Sequence, residues 1–287
     1  MGRRSSNTQM FALRRPPPER IELAGADYQL VRVFKHDFMA ATCLYELVDW
    51  ASAEVGRSAV PRVVVKFARR QPFCGFPLAW AGQVLRRNEQ RIYGALRGVR
   101  GVPRWLGCVG ESGYAVEYIE CRPLDNAPPP PPGFFDELRK LFDAIHACGV
   151  VYVDSNKRSN ILVGDDGRPY LVDYQISIRP REGLPWPLRA IVQAAVNYMA
   201  AKDIYHLYKH KRKLCPDALT DEEERLSHPR GWLHMLHRGL ATRYRTVRRW
   251  FLRRQHRKGA LVSPTEAIED HHQPEKESWR AEGGRRG

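Results

Sequence analysis

Closely spaced cysteines are missing from this chain. The six cysteines stand at 43, 74, 108, 121, 148 and 215, spacings that exclude the CxxC pair of thioredoxin chemistry and of most zinc sites. They read instead as buried free thiols in a reducing compartment. Long apolar runs are missing too: the longest charge-free helical stretch, Ala190 to Ala201, is far shorter than the roughly 20 residues a membrane-spanning helix needs. The N-terminal MGRRSSNTQMFALRRPPPER has positive charge but no apolar segment of signal-peptide quality behind it. A cytoplasmic location is therefore expected, with peripheral contact at the inner face of the membrane as an option. There is no internal repeat, and no zinc-finger spacing or aromatic RNA-recognition motif, so basic charge alone assigns no nucleic-acid partner.

Acidic residues are the minority. Thirty-two Asp and Glu against 47 Lys and Arg leave a formal charge of +15, which favours anionic neighbours such as phosphorylated ligands or membrane surfaces. The 287 residues are 43% hydrophobic, enough for about two domain-sized cores. Residues 1–20 are basic and carry Pro16, Pro17 and Pro18, the composition of a loosely attached arm. Alternating, β-branched segments predict strands over Tyr28–Phe34, Thr42–Leu47 and Arg62–Ala68, with a Lys35–Ala41 turn between the first two. A helix is predicted over Leu78–Leu96, its apolar stripe interrupted near Asn88, followed by strands at Pro103–Cys108 and Tyr114–Ile119. This small domain, residues 21–119, passes through a link at Glu120–Leu124 and the prolines 128–132 into a mainly helical part, residues 120–258. Helices are predicted there over Phe134–Cys148, Leu188–Lys213 and Gly231–Gln255, and short strands over Ile161–Val163 and Tyr170–Val172. Polar composition after Gly259 predicts a flexible tail over 259–287. In Leu240–Gln255 an apolar stripe lies among arginines, a pattern that suits either an anionic membrane surface or packing onto the larger domain.

The chemically informative segment is GVVYVDSNKRSNILVGDDGRPYLVDYQIS, Gly149 to Ser177. An Asp in a loop after a helix, an Asn, a short hairpin and a second Asp place two carboxylates and an amide within one compact unit. That set suits holding a hard cation and orienting a hydroxyl. The segment resembles the catalytic segment of the protein-kinase-like superfamily. The resemblance implies an α+β, two-lobed fold with a small β-rich N-lobe carrying one helix and a mainly helical C-lobe. It implies that Asp154 is the catalytic-loop Asp, that Asn160 and Asp173 are the Mg²⁺ ligands, that Lys66 in VVVKFA is the ATP lysine, and that Glu89 in RRNEQRIY is its partner. ATP and Mg²⁺ are the implied cofactors. Asp203 stands where such folds place an Asp that braces the catalytic loop; a surface Asp paired with a nearby lysine is the other reading of that residue.

The segment departs from the family pattern in several places. Tyr152 and Val153 replace the usual His-Arg, and five residues instead of four separate Asp154 from Asn160. The metal triplet is Asp173, Tyr174, Gln175, and the Lys35–Ala41 turn has no glycine-rich phosphate cover, for which Lys35 or backbone amides are the available substitutes. Lys157 or Arg158 is a candidate to reach the transferred phosphoryl group. No Ala-Pro-Glu element follows Asp173, and Arg179, Pro180 and Arg181 are basic, so the acceptor expected is a small-molecule, saccharide or lipid-linked hydroxyl. In these respects the chain resembles bacterial lipopolysaccharide core kinases and atypical RIO-type kinases. An atypical serine/threonine protein kinase and a catalytically weak nucleotide-binding scaffold are the alternatives.

Overall fold

The computed structural model describes residues 10–48, 60–73, 76–125, 128–181, 183, 185–228 and 265. Residues 1–9 and the helix expected over 231–255 lie outside them. The protein is of mixed α+β class and divides into two compact units. One takes in the described residues up to Arg86 together with Leu106–Tyr118 and Thr265, and the other Arg87–Trp105 together with the described residues from Ile119 to 228.

The first unit is built on a curled six-stranded sheet of β1 (Arg20–Leu23), β2 (Ala26–His36), β3 (Ala40–Leu47), β4 (Arg62–Ala68), β5 (Trp105–Val109) and β6 (Gly113–Glu117), ordered β1-β2-β3-β4-β6-β5. Period-two alternation in β4 sends Val63, Val65 and Phe67 into a core shared with Cys43, Tyr45, Ala115 and Tyr28. The opposite face carries Arg62, Val64 and Lys66. In β2 the alternation slips twice, with register shifts between Leu30 and Arg32 and between Val33 and Lys35. These irregularities bring both Tyr28 and Val33 inward and leave Val31 exposed. A Cβ on Gly107 of β5 would meet Leu23 Cδ1 of β1 at 3.2 Å, so the sheet curls until its two edge strands approach.

The turn predicted over Lys35–Ala41 is tighter in the structure, because β2 runs on to His36 and only residues 37–39 separate it from β3. Asp37 makes this possible: its Oδ1 accepts from the Met39 and Ala40 amides at 2.8 and 2.9 Å. Residues 10–20 are attached, beginning well before the prolines that suggested an arm. Met10, Phe11 and Ala12 are buried, Ala12 N donates to Asp37 O, and Arg70 N donates to Ala12 O. Leu13 N donates to His36 Nε2, leaving Nδ1 as the donor to Thr265 Oγ1 at 3.1 Å. Thr265, the one described residue of the expected tail, is itself buried. Arg69 is buried beneath this segment, its guanidinium donating to the carbonyls of Phe11, Phe38, Gln71 and Pro72 and lying 3.8 Å from the Phe38 ring centre. Helix α1 (Ala79–Ala95) rests on the same place, since a Cβ on Gly82 would fall 2.3 Å from Arg69 O.

The second unit packs α2 (Phe134–Ala147) and α3 (Trp186–Leu214) with the short α4 (Asp221–Leu226) and a three-stranded sheet, β7 (Cys121–Pro123), β8 (Ile161–Gly164) and β9 (Pro169–Leu171). β7 occupies what the sequence suggested was a bare link; at three residues it is too short to show a period. α2 buries Phe135, Leu138, Phe142 and Ile145 as its spacing predicts, whereas Ala147, expected on the same face, is exposed at the helix end. Gly101, at φ +89°, accepts from Leu171 N, and a Cβ there would strike Leu141 and Pro169 at 2.8 Å, so only glycine lets this loop brace β9. Of the five described cysteines only Cys43 is buried and Cys108 is exposed, which corrects the expectation of uniformly buried thiols; all five are free. Among the described residues no helix is long and apolar enough to cross a membrane.

Candidate functional site

The site is built from α2 outward. After α2 the chain turns at Gly149 (φ +70°) and buries Val150, Val151 and Tyr152. Val151 pairs with Ile178 in an isolated antiparallel bridge. Asp203, on α3 and fully buried, then takes over the backbone: its Oδ2 accepts from Tyr152 N and its Oδ1 from Val153 N, both at 3.0 Å, with His146 Nε2 3.1 Å from Oδ2. Three donors on one carboxylate offset the cost of burying it. The surface-Asp reading of this residue is thereby excluded. Val153, held by that bond, sits at φ +71°. A β-branched residue in the left-handed region is strained by about 1–3 kcal/mol and persists only where surrounding bonds dictate it.

Asp154 follows directly. Its Oδ2 accepts from Lys157 Nζ at 2.6 Å and from Asn160 Nδ2 at 2.9 Å. Two successive turns lead from Asp154 to Asn160, Lys157 N donating to Asp154 O and Asn160 N to Lys157 O. Asn160 O accepts from Val172 N, so the residue preceding Asp173 is tied to the residue that also binds Asp154. Asp173 itself has φ +64°. Asp154, Asn160 and Asp173 thus share one loop-and-hairpin framework. Lys157 is turned back onto Asp154, and Arg158 begins a 3-10 turn over Arg158–Asn160.

The donor set suits a hard cation of limited appetite. With the Asn160 NH₂ given to Asp154, its carbonyl oxygen is the atom left to act as a ligand beside the Asp173 carboxylate. Among the described residues no group of three or more His, Cys, Asp and Glu side chains could hold a metal. The pair is therefore not a self-sufficient cage, and its chemistry fits Mg²⁺, which binds through one or two protein oxygens and completes its shell with water and phosphate oxygens.

Behind the loop stands a column of aromatic rings. Tyr174 is fully buried and meets Tyr152 edge-on at 5.2 Å and Tyr93 of α1 at 5.1 Å. The Tyr152 hydroxyl donates to Val172 O. Tyr152 occupies its position as a packing residue and backbone anchor. Burial pushes the phenols of Tyr152 and Tyr174 well above their ordinary range, so both rings stay neutral.

Sequence reasoning overlooked the residues that fix the segment after Asp173. Asn88, read as an interruption of a helical stripe, donates through Nδ2 to Ser177 O at 3.0 Å and Gln175 O at 3.4 Å. Arg91 donates to the carbonyls of Arg179 and Pro180, and Ser177 Oγ donates to Tyr152 O. The polar break itself was the available signal: an Asn inside an otherwise apolar face has a partner to find.

Lys66 and Glu89 lie in different units. β4 has β3 on one side and β6 on the other, so Lys66 is not an edge-strand lysine. It stands opposite Thr42 and Tyr114. Glu89 is a buried carboxylate on α1, 2% exposed. The β2–β3 turn offers no substitute for a glycine-rich phosphate cover. Its amides already donate to Asp37, and Lys35 Nζ is 2.6 Å from Asp37 Oδ2. Burial of Asp37 is outweighed by Lys35 and these amides, which hold its carboxyl below the usual range and keep it anionic.

His210, one turn beyond His206 on α3, is buried with Nε2 2.9 Å from Ser155 O, so it donates to the Asp154 loop. Burial, reinforced by the charges of Lys209, Arg158 and Lys213 and opposed by the Ser155 carbonyl, pulls its pKa down to about 4. Between about 4 and 6.5 the unfolded chain binds a proton that the native protein does not. The associated stability is therefore complete above pH 6.5 and lost as pH falls toward 4, amounting to about 3 kcal/mol. Urea unfolding of the full chain at pH 7 and pH 4.5 should show this loss, and His210→Gln should flatten that part of the slope; an unchanged slope refutes the assignment.

Compared with known proteins, the chain matches no family model, and no curated protein matches it.

Proposed function

We propose that this protein is an ATP- and Mg²⁺-dependent phosphotransferase of two-lobed, kinase-like fold that acts on a hydroxyl of a saccharide, lipid-linked or other small acceptor. The observation that carries the reading is the hydrogen-bonded framework of Asp154, Asn160 and Val172–Asp173, with Asp203 fixing the backbone that leads into it. In this reading Asp154 accepts the hydrogen bond of the acceptor hydroxyl, aims its oxygen at the γ-phosphorus and receives the proton as the new O–P bond forms and ADP departs. Asn160 and Asp173 hold the cation. Lys66 stabilises the negative charge of the phosphates. Bound Mg²⁺ supplies neutralisation of charge on the polyphosphate. Only residues 174–185 separate Asp173 from α3, little chain for a peptide platform, which favours a small acceptor over a protein.

A specific observation favours the scaffold reading: the Asp37 turn, whose amides and neighbouring lysine are already committed to a carboxylate. The two readings separate by titrating ATP with and without Mg²⁺, then assaying ATP consumption across a panel of hydroxyl acceptors. We expect Mg²⁺-dependent binding that falls about tenfold or more in Asp173→Asn, together with turnover on at least one acceptor. Binding without transfer to any hydroxyl supports the scaffold, and absence of nucleotide binding defeats both.

A further inference from the structure

At the loop that follows Asp154 the structure has a cavity of about 560 Å³ whose lining carries four cations: Asn156 and Arg158 come from the loop, and Lys209, His210, Arg212 and Lys213 from α3. None of these six residues is acidic. Lys211, on another face of the same helix, is answered by Glu223 at 2.7 Å and Asp136 at 3.4 Å. By contrast, among the described residues Arg158, Arg212 and Lys213 have no carboxylate partner. Arg212 is steered instead by Ser227 Oγ and the His228 ring.

The cavity walls are fixed to each other. His210 donates to Ser155 O, and Lys209 Nζ donates to Asn156 Oδ1, so two bonds clamp α3 to the two residues that follow Asp154. The like charges of Arg158, Arg212 and Lys213 around one cavity repel one another, a cost that an anion among them offsets. The depressed pKa of His210 comes first from burial, and Lys209, Arg158 and Lys213 each add to it. Two planar guanidinium groups and two ammonium groups around a small cavity suit a tetrahedral oxyanion.

We propose that this cavity binds a phosphomonoester carried by the acceptor, so that the acceptor is an already phosphorylated molecule held by its phosphate while a hydroxyl is presented to Asp154. The assignment to the acceptor rests on the phosphotransferase reading above; the anion site does not. Asn156 and Arg158 lie two and four residues from Asp154 in sequence, and this places the anchor on the same loop as the carboxylate. Binding energy from a remote phosphate would then be available to orient the reacting hydroxyl.

The test uses the full chain and inorganic phosphate, titrated against chloride at constant ionic strength. Binding is read by calorimetry and by the His210 imidazole resonance, whose pKa should rise from about 4 when an anion settles beside it. The comparison is the double charge reversal Arg212→Glu with Lys213→Glu, with retention of fold checked by circular dichroism. We expect phosphate to bind the parent and to bind the double variant at least about tenfold more weakly, with Mg²⁺–nucleotide binding equal in both. Equal phosphate affinity in parent and variant, or a parent that distinguishes phosphate no better than chloride, overturns the proposal. Phosphate binding by a chain that fails to bind nucleotide overturns the acceptor assignment alone. Co-sedimentation with phosphatidylcholine vesicles doped with phosphatidic acid identifies the source. Loss of sedimentation in the double variant makes the phosphate a lipid's, and no sedimentation of a phosphate-binding parent makes it a soluble acceptor's.

Discussion

Asp154→Asn is expected to lower phosphoryl transfer by about 100- to 10,000-fold, the range typical of removing a positioned general base, while leaving nucleotide affinity within about twofold. The substitution is chosen for its geometry. An amide oxygen can still accept from Asn160 Nδ2 and Lys157 Nζ, which now meet at Asp154 Oδ2 at 2.9 and 2.6 Å, so the loop should keep its two turns. Loss of rate with intact binding then reports the missing proton acceptor and not a collapsed loop. The measurement is steady-state turnover with the acceptor found in the panel, beside a nucleotide titration. Turnover close to the parent's would remove Asp154 from the mechanism. A parallel loss of nucleotide affinity would assign it to binding.

The largest effect on stability should come from Asp203→Ala. Asp203 is fully buried and accepts from Tyr152 N, Val153 N and His146 Nε2. Each hydrogen bond to a charged group contributes about 1.5–3 kcal/mol, and two buried backbone N–H groups would be left without an acceptor. A loss of about 3–5 kcal/mol follows, equivalent to a fall in melting temperature of about 10 °C. The strained Val153 sharpens the prediction. Its left-handed conformation depends on the bond from its own amide, and released from Asp203 it should relax and carry Asp154 away from Asn160. Thermal unfolding and a Mg²⁺–nucleotide titration on the same variant check both parts. A melting temperature within about 2 °C of the parent's would mean that Asp203 does not hold the loop.

Much of the element order was legible because the relevant signals are local. β4 runs from Arg62 to Ala68 as its alternation predicted, and α2 buries most of the face its spacing marked. The candidate residues Asp154, Asn160 and Asp173 were legible for a related reason: they lie within twenty residues, so a loop and hairpin suffice to assemble them. Asn88 and Arg91 were not, since their partners Ser177 and Arg179 lie close to ninety residues away, and nothing in a helical period announces such a pairing. The two register shifts of β2 were equally hidden, because irregular pairing depends on the neighbouring strand and not on the strand's own pattern. The attachment of residues 10–20 through Arg69 was masked by composition. A proline-rich, basic stretch reads as an arm until a buried guanidinium is found to collect its carbonyl together with three others.

By itself the sequence determined the α+β class, most of the strands and helices, and the short segment in which a carboxylate, an amide and a second carboxylate recur at hairpin spacing. Those properties follow from side-chain periodicity and nearby turns, which need no distant partner. Only the tertiary structure decided that Asp203 is a buried brace and that the β2–β3 turn is closed by its own aspartate. The assembly of four cations at the loop that follows Asp154 was decided there as well. Each of these depends on which groups become neighbours once water is excluded, since a charge acquires its role from the donors, acceptors and like charges that folding places around it.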